Sequence, residues 1–326
     1  MRLSQVLRRF VKPSTAAFWR EALSRPGGSL KEALHGFFYL KWPEFYIGVG
    51  LGRGRLGKAV HEPVRRIGRA LGLWDENAGA SFADTYHGKV MPLAETTRLI
   101  TVGRPLRLET PEKVLPYSMA RDIILENPDD LALLRCPCRA TMPEPCEPLD
   151  VCIIVGRPVT DFVLEHHPDK ARKITVDEAA RVVLDEQKRG HVSHAFFKEA
   201  VLGRYYAICN CCSCCCGAMQ AFREGTPMLA SSGYVAVCDE ETCVGCGKCA
   251  AVCPFGAIAM QERAGCNGRA GQNGRNAKRP VAVIDGALCM GCGVCALRCK
   301  KEALRLELDP AKPLPLWLKD RMAETG

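Results

Sequence analysis

Two cysteine runs near the C-terminus carry the clearest chemistry in this 326-residue chain: Cys243-x2-Cys246-x2-Cys249-x3-Cys253-Pro254 and Cys289-x2-Cys292-x2-Cys295-x3-Cys299. Thiolates at this spacing ligate the irons of a cubane iron–sulfur cluster. Three cysteines two residues apart wrap a tight loop around one side of a cube. Gly245, Gly247, Gly291 and Gly293 sit within those loops, where the backbone must turn sharply and come close to the sulfides. The fourth cysteine, three residues on, starts a helical turn that leads away. A pair of such sites moves single electrons, so the spacing reads as a redox protein. Two zinc sites are the alternative, because C-x2-C also suits tetrahedral zinc.

The segment 239–309 resembles a bacterial-type dicluster ferredoxin domain. Both motifs are present in full, Pro254 included. The segment departs from the pattern at Lys300, where Pro is usual, and in a long insert between the halves. The resemblance implies a ferredoxin-like (β-α-β)2 fold with two 4Fe–4S clusters, in which each fourth cysteine crosses to the other cluster. On that basis Cys243, Cys246, Cys249 and Cys299 hold one cluster, and Cys253, Cys289, Cys292 and Cys295 hold the other. Lys300 places a positive charge beside a cluster, which raises its potential.

A second cysteine system lies upstream. Cys136, Cys138, Cys146 and Cys152 fall within 17 residues, in a loop stiffened by Pro137, Pro143, Pro145 and Pro148. Cys209, Cys211, Cys212, Cys214, Cys215 and Cys216 follow almost without interruption. An extended 209–216 segment alternates its faces, so Cys209, Cys211 and Cys215 point one way and Cys212, Cys214 and Cys216 the other. A helix starting at Ser213 instead groups Cys212, Cys215 and Cys216. About three thiols then share a point, and Cys136, Cys138 or Cys238 supplies a fourth. The expectation is one or two additional iron–sulfur clusters drawing on these ten thiols, not all of them as ligands. Structural zinc and a redox-active thiol pair are the alternatives.

From Pro116 to the ferredoxin motifs the chain is similar to a family of anaerobe iron–sulfur proteins. The strings that carry the similarity are PYSMARDIILENP, CPCR at 136–139, CEPLDVCIIVG at 146–156, GHVSHAFF at 190–197 and ICNCCSCCC at 208–216. It implies cluster binding and electron transfer over residues 84–310 and names no substrate.

The elements that must position these thiols read as follows. Pro26-Gly27-Gly28-Ser29 separates two helices, the first after Pro13 and the second capped by Ser29 and running to Leu40. A further helix covers about 58–71. Short strands are expected at 98–102 and 106–108, and a helix over 118–126. Residues 131–134 and 151–155 read as strands flanking the first cysteine loop. Thr175-Val176-Asp177-Glu178 opens a helix to Gly190, and 205–208 is a strand leading into the second cysteine run. The fold class is therefore α+β: a basic, aromatic-rich, largely helical region (1–83), a cysteine-rich mixed α/β domain (84–238), the dicluster domain (239–309) with a flexible polar insert at 261–280, and a C-terminal tail (310–326). Cys266, within the insert, is not expected to be a ligand.

Eighteen of the 20 cysteines fall into the four dense groups, which is the pattern of metal ligation in a reducing, cytoplasmic compartment rather than of a secreted disulfide scaffold. Residues 1–72 hold 14 Lys/Arg against 4 Asp/Glu; since the whole chain is +9, the remainder sums to −1. This basic quarter, with Phe37, Phe38, Tyr39, Trp42, Phe45 and Tyr46, suits peripheral contact with an anionic membrane, here the inner membrane face. No run is apolar enough to span a membrane. Arg8-Arg9 has the form of a twin-arginine signal, but Pro13 and Arg20 break any apolar stretch after it, so export is not expected.

The sequence thus reads as an iron–sulfur electron-transfer protein, or the electron-transfer subunit of an anaerobic oxidoreductase, serving redox partner proteins. A redox enzyme acting at the 136–216 cysteines is the alternative, with Arg139, His191, His194 and Glu199 as candidate proton-handling residues. A nucleic-acid-binding protein with a structural or sensing cluster is a second alternative, resting on the basic N-terminal quarter and the Arg/Gly-rich insert; nucleic acid is not expected as a partner.

Overall fold

The computed structural model describes residues 11–25, 27–70, 83–101, 106–108, 123–125, 130–262 and 279–316. The Arg8-Arg9 pair, Cys266 with most of the polar insert, and the tail beyond Leu316 lie outside them.

Four helices come first: α1 (Pro13–Ser24), α2 (Leu30–Lys41), α3 (Pro43–Gly50) and α4 (Gly54–Ala70). Ser29 caps α2, its hydroxyl accepting the Glu32 backbone N–H at 3.1 Å. Helices α1, α2 and α3 are packed onto the middle of the chain. A Cβ at Gly36 would stand 1.7 Å from the Ala200 carbonyl oxygen, so only glycine lets α2 lie this close. Tyr39 meets Tyr206 hydroxyl to hydroxyl at 2.8 Å, and Phe18 packs in the core against Phe162 with the rings tilted by 60°.

A seven-stranded sheet forms the centre, in the order β6-β4-β5-β8-β7-β1-β9. Its strands are β1 (Tyr86–Met91), β4 (Leu131–Arg135), β5 (Asp150–Val155), β6 (Ala171–Ile174), β7 (Val192–Lys198), β8 (Arg204–Cys211) and β9 (Leu229–Ala230). Every pairing is antiparallel except β1 with β9. The alternation of strands and helices in sequence therefore builds an α+β layer here rather than parallel crossovers. All seven residues of β7 are buried, because helices and the N-terminal region cover the sheet. Helix α7 (Val159–His166) packs on β4, β5 and β6, and α8 (Val176–Arg189) crosses β4, β5, β7 and β8. Thr175 caps α8 by accepting from the Glu178 N–H at 3.2 Å. The short α6 (Pro137–Ala140) and α9 (Gly217–Arg223) each follow directly on a cysteine.

Two local expectations fail. Residues 98–100 are the last turn of α5 (Leu93–Ile100), not a strand: Thr96, Leu99 and Ile100 fall at helical spacing and are buried. Residues 123–125, expected as helix, form β3 (Ile123–Leu125), paired antiparallel with β2 (Leu106–Leu108). The short apolar run Ile123-Ile124-Leu125 found a strand partner, and pairing overrode local propensity.

The C-terminal unit consists of two β-α-β halves: β10 (Tyr234–Cys238), α10 (Lys248–Val252) and β11 (Ile258–Glu262), then β12 (Pro280–Ile284), α11 (Val294–Arg298) and β13 (Leu304–Leu308). The halves interlock, β10 with β13 and β11 with β12. Strand β10, with Cys238, therefore hydrogen-bonds into the ferredoxin unit rather than closing the middle domain at 238. Residues 261, 262 and 280 belong to paired strands, so the insert is narrower than 261–280. This unit rests on the middle domain. Ser232 N–H donates to the Met290 carbonyl at 3.0 Å and Ser232 Oγ to the Gly291 carbonyl at 2.8 Å. Gly291 has φ +65°, and a Cβ there would meet Ser232 Oγ and Tyr234 O, both at 2.3 Å. Glycine is thus required both by the cysteine loop and by the seam between domains.

Candidate metal centres

In each ferredoxin half the three closely spaced thiols end at a short helix, α10 or α11, that starts from a left-handed glycine, Gly247 or Gly293. The fourth thiols, Cys253 and Cys299, are the residues just past those helices. The pseudo-symmetric strand pairing carries each across to the other half. Cys243, Cys246, Cys249 and Cys299 line one cavity of about 190 Å³. Cys253, Cys289, Cys292 and Cys295 line a second, with Pro254, Phe255 and Ile258. Backbone N–H groups point at sulfur in the second, Ala236 to Cys289 at 3.4 Å and Ala257 to Cys253 at 3.3 Å. Four thiols around a space with no competing carboxylate, with amides aimed at sulfur, fit a 4Fe–4S cluster.

The two cavities differ in surroundings. Around the first stand four exposed cations, Lys248, Arg298, Lys300 and Lys301. The second is lined by apolar and cysteine side chains, and its Met290 and Cys292 pack into the main core. Burial pushes the Cys292 thiol well up and that of Cys295 up to about 12. Cys238 lies beside Cys243 and lines the first cavity. It is not with the upstream thiols, because β10 carries it into the ferredoxin unit.

Strand register gathers the upstream thiols. Cys152 on β5 lies opposite Cys209 on β8, and Cys209 lies opposite His194 on β7. Side chains opposite one another share a face, so this row crosses three strands. Cys211, two residues along β8, shares the same face. Cys136 is brought in where β4 ends, its N–H donating to the Leu149 carbonyl at 2.8 Å. Contacts then link Cys136 with Cys138 and Cys152, Cys138 with Cys216, and Cys216 with Cys211. Six thiols thus form one group, with Cys136, Cys152, Cys211 and Cys216 buried and Cys138 and Cys209 half-buried. Cys138 is held toward thiolate chiefly by the hydrogen bond from Cys136 and further by that from Cys216; Cys211 is held at about 6, chiefly by the hydrogen bond from Cys216 and further by His194. Their partners Cys136 and Cys216 are pushed up by those same contacts.

The other four upstream thiols lie apart. The chain turns at 212–216, with the Cys216 N–H donating to the Cys212 carbonyl at 3.2 Å. Cys212, Cys214 and Cys215 face Cys146, all four sulfurs within 4.8 Å of one another. Neither grouping expected from the sequence is found: strand geometry ends at Cys211, and the turn then sends Cys216 back to the Cys211 side.

Behind the thiols lies a buried polar network that the sequence did not reveal in full. Arg139, 1% exposed, donates to Glu186 Oε2 at 2.5 Å, to the Pro148 carbonyl at 2.5 Å and to the Asn210 carbonyl at 3.1 Å. His191 Nδ1 is 2.7 Å from Glu186 Oε2. Burial opposes the Arg139 charge, but Glu186 and the thiols of Cys212 and Cys136 outweigh it. Asn210, lost to view among cysteines in the sequence, holds Val151 and Ser193. Arg53 donates to the Cys138 carbonyl at 2.9 Å and to Gln220 at 3.2 Å, so the N-terminal helices also brace the site.

Of the candidate proton-handling residues, Arg139, His191 and His194 are here. Glu199 is beyond the end of β7, paired with Arg25 at 2.9 Å. His194 is fully buried beside Cys211 and has no well-directed hydrogen bond at either ring nitrogen. Farther along the same sheet, Lys198 is buried with its ammonium 4.8 Å from the Tyr39 ring centre and 4.5 Å from that of Tyr86. Burial lowers its pKa to about 8. Position alone singles out Lys198, which carries no motif in the sequence.

Comparison with known proteins agrees with this geometry at the C-terminus. Residues 242–303 match the family described as 4Fe-4S dicluster domain. A protein described as an uncharacterized ferredoxin of Methanocaldococcus jannaschii is 40% identical over 67 residues, 19% of this chain and 36% of the relative. The chain thus spans about a third of that relative's length. The C-terminal unit is a 4Fe–4S dicluster domain of ferredoxin type, and the protein is an iron–sulfur protein. No described helix is long and apolar enough to cross a membrane.

Proposed function

We propose that this chain is an electron-transfer protein, or the electron-transfer subunit of a larger oxidoreductase, in which the two ferredoxin-type centres lead to a further centre held by the group of six upstream thiols. The observation that carries the reading is the sorting of the eight motif cysteines by strand pairing, four to each of two cavities. A 4Fe–4S cluster held by such thiols supplies reversible one-electron transfer.

The protein's own residues give the relay a direction. Lys248, Arg298, Lys300 and Lys301 present positive charge at the outer cavity, which favours docking of an acidic redox partner there. The inner cavity is shielded by apolar side chains. Its Phe255 packs edge-on against Phe222 at 6.3 Å, and Phe222 belongs to α9, the helix that begins just after Cys216. Aromatic contact thus joins the inner ferredoxin site to the element carrying one of the six grouped thiols. Anaerobic redox titration with EPR tests this. Two ferredoxin-type signals and at least one further electron accepted per chain are expected; a colourless preparation refutes the reading.

A second reading, a redox enzyme acting at the upstream site, is favoured by one observation: His194, buried and without a directed hydrogen bond, stands on the row of Cys152 and Cys209. An imidazole there is suited to ligate metal or to move a proton. Altered nitrogen coupling in EPR of His194→Ala is expected on this reading; unchanged spectra refute it.

Peripheral membrane contact rests on an exposed stripe along α2 and α3: Leu30, Leu34, Phe38, Trp42 and Phe45, flanked by Lys31 and Lys41. Phe37, Tyr39 and Tyr46 instead face the protein.

A further inference from the structure

The ten upstream thiols divide by position, and the two groups also differ in size. Cys146 Sγ lies 3.0 Å from Cys214 Sγ, and Cys214 Sγ lies 3.6 Å from Cys215 Sγ. With Cys212 they form a set in which all four donor atoms are within 4.8 Å of one another. A tetrahedral ion with metal–sulfur bonds of about 2.3 Å needs its thiolates only about 3.8 Å apart. The thiolates of a four-iron cube radiate from its corners and stand much farther apart. The same chain supplies the contrast. Among the described residues, no three donor atoms in either ferredoxin cavity or in the group of six are drawn together so closely.

We propose that Cys146, Cys212, Cys214 and Cys215 form a one-ion centre, a four-thiolate tetrahedral site for zinc or a single iron, separate from the larger group of six. The consecutive pairs Cys211-Cys212 and Cys215-Cys216 each send one thiol to either side of the turn, so the turn partitions the two centres. Arg223 donates to the Ser213 carbonyl at 2.6 Å and holds the tip of the turn. Arg139 holds Pro148, two residues beyond Cys146. The ion then ties the proline-rich loop to the turn and fixes the outer wall of the six-thiol site. Cys214 is exposed, so the ion is near the surface, as suits a structural clamp rather than a shielded relay.

This goes beyond the proposed relay and is tested apart from it. The full chain is purified without oxygen and its zinc, iron and acid-labile sulfide are counted for wild type, Cys146→Ser and Cys214→Ser. Each variant should lose about one metal ion per chain and no sulfide, with the iron–sulfur EPR unchanged. Loss of sulfide with several irons would show a cluster here and overturn the proposal. A metal count equal to wild type in both variants, or a Cys146–Cys214 disulfide in place of an ion, would overturn it as well. X-ray absorption at the zinc edge, or at the iron edge of a sulfide-depleted sample, needs no variant: four sulfurs at about 2.3 Å without a metal neighbour are expected. The edge that gives that shell separates zinc from iron. Absence of the further electron in the redox titration would remove the upstream relay but leave this site standing.

Discussion

Replacing Arg139 by methionine should detach the upstream site from its frame while leaving the ferredoxin unit intact. Its guanidinium bonds three segments at once: Glu186 on α8, the Pro148 carbonyl beside the Cys146 and Cys152 loop, and the Asn210 carbonyl between Cys209 and Cys211. Arg139 and Glu186 side chains are each 1% exposed. Removing one partner leaves the other charge buried and unpaired, which costs roughly 3–5 kcal/mol. His191 and Arg189 remain near Glu186, at 2.7 and 2.9 Å, and hold the cost toward the lower end. The double variant Arg139→Met/Glu186→Leu removes both charges, so its cost should fall well short of the sum of the single variants. The assay is anaerobic thermal unfolding paired with metal and sulfide counts. Arg139→Met should unfold at lower temperature and lose upstream metal, with both ferredoxin EPR signals kept. Additive single and double variants, or Arg139→Met with wild-type stability and full upstream metal, would refute the reasoning.

Cys253→Ser should disturb the centre held by Cys289, Cys292 and Cys295, and Cys299→Ser the one held by Cys243, Cys246 and Cys249, because the cavities pair them that way; EPR of the reduced variants shows which signal changes, and loss of the neighbour in sequence would contradict the crossing. Glu95 is buried with one carboxylate oxygen unpartnered, and burial raises its pKa to about 7. Its folded pKa thus exceeds the unfolded value, so its contribution is full below about pH 4.5 and declines as pH rises to about 7, by up to about 3 kcal/mol. Glu95→Gln should flatten that limb in melts across this range; an unchanged profile would count against it. Cosedimentation with anionic vesicles should drop when Leu34 and Phe38 are both changed to Asp, and equal pelleting would dismiss membrane contact through α2.

Much of the site was legible because cysteine spacing is itself geometry: a motif of 11 residues leaves a cube little choice of wrapping. The Thr175 and Ser29 caps were legible too, since a cap needs only four residues. The strand expected at 98–100 and the helix expected at 123–125 are not found because short apolar runs fit either period, and only the available partner decides. Asn210 and Lys198 gave no signal, since what marks them is burial and contact with residues far along the chain.

By itself the sequence determined that this protein is built to hold iron–sulfur clusters, since eight thiols in two tandem runs leave little other chemistry. Only the tertiary structure decided how the ten upstream thiols divide. Antiparallel register places Cys152, Cys209 and His194 in one row, and the turn after Cys211 sends Cys212, Cys214 and Cys215 to Cys146. Spacing along a chain constrains neighbours within a few residues, whereas these partners are 57 or more residues apart in Cys152–Cys209 and in Cys146–Cys212; sheet pairing, with the turn that follows β8, closes that distance.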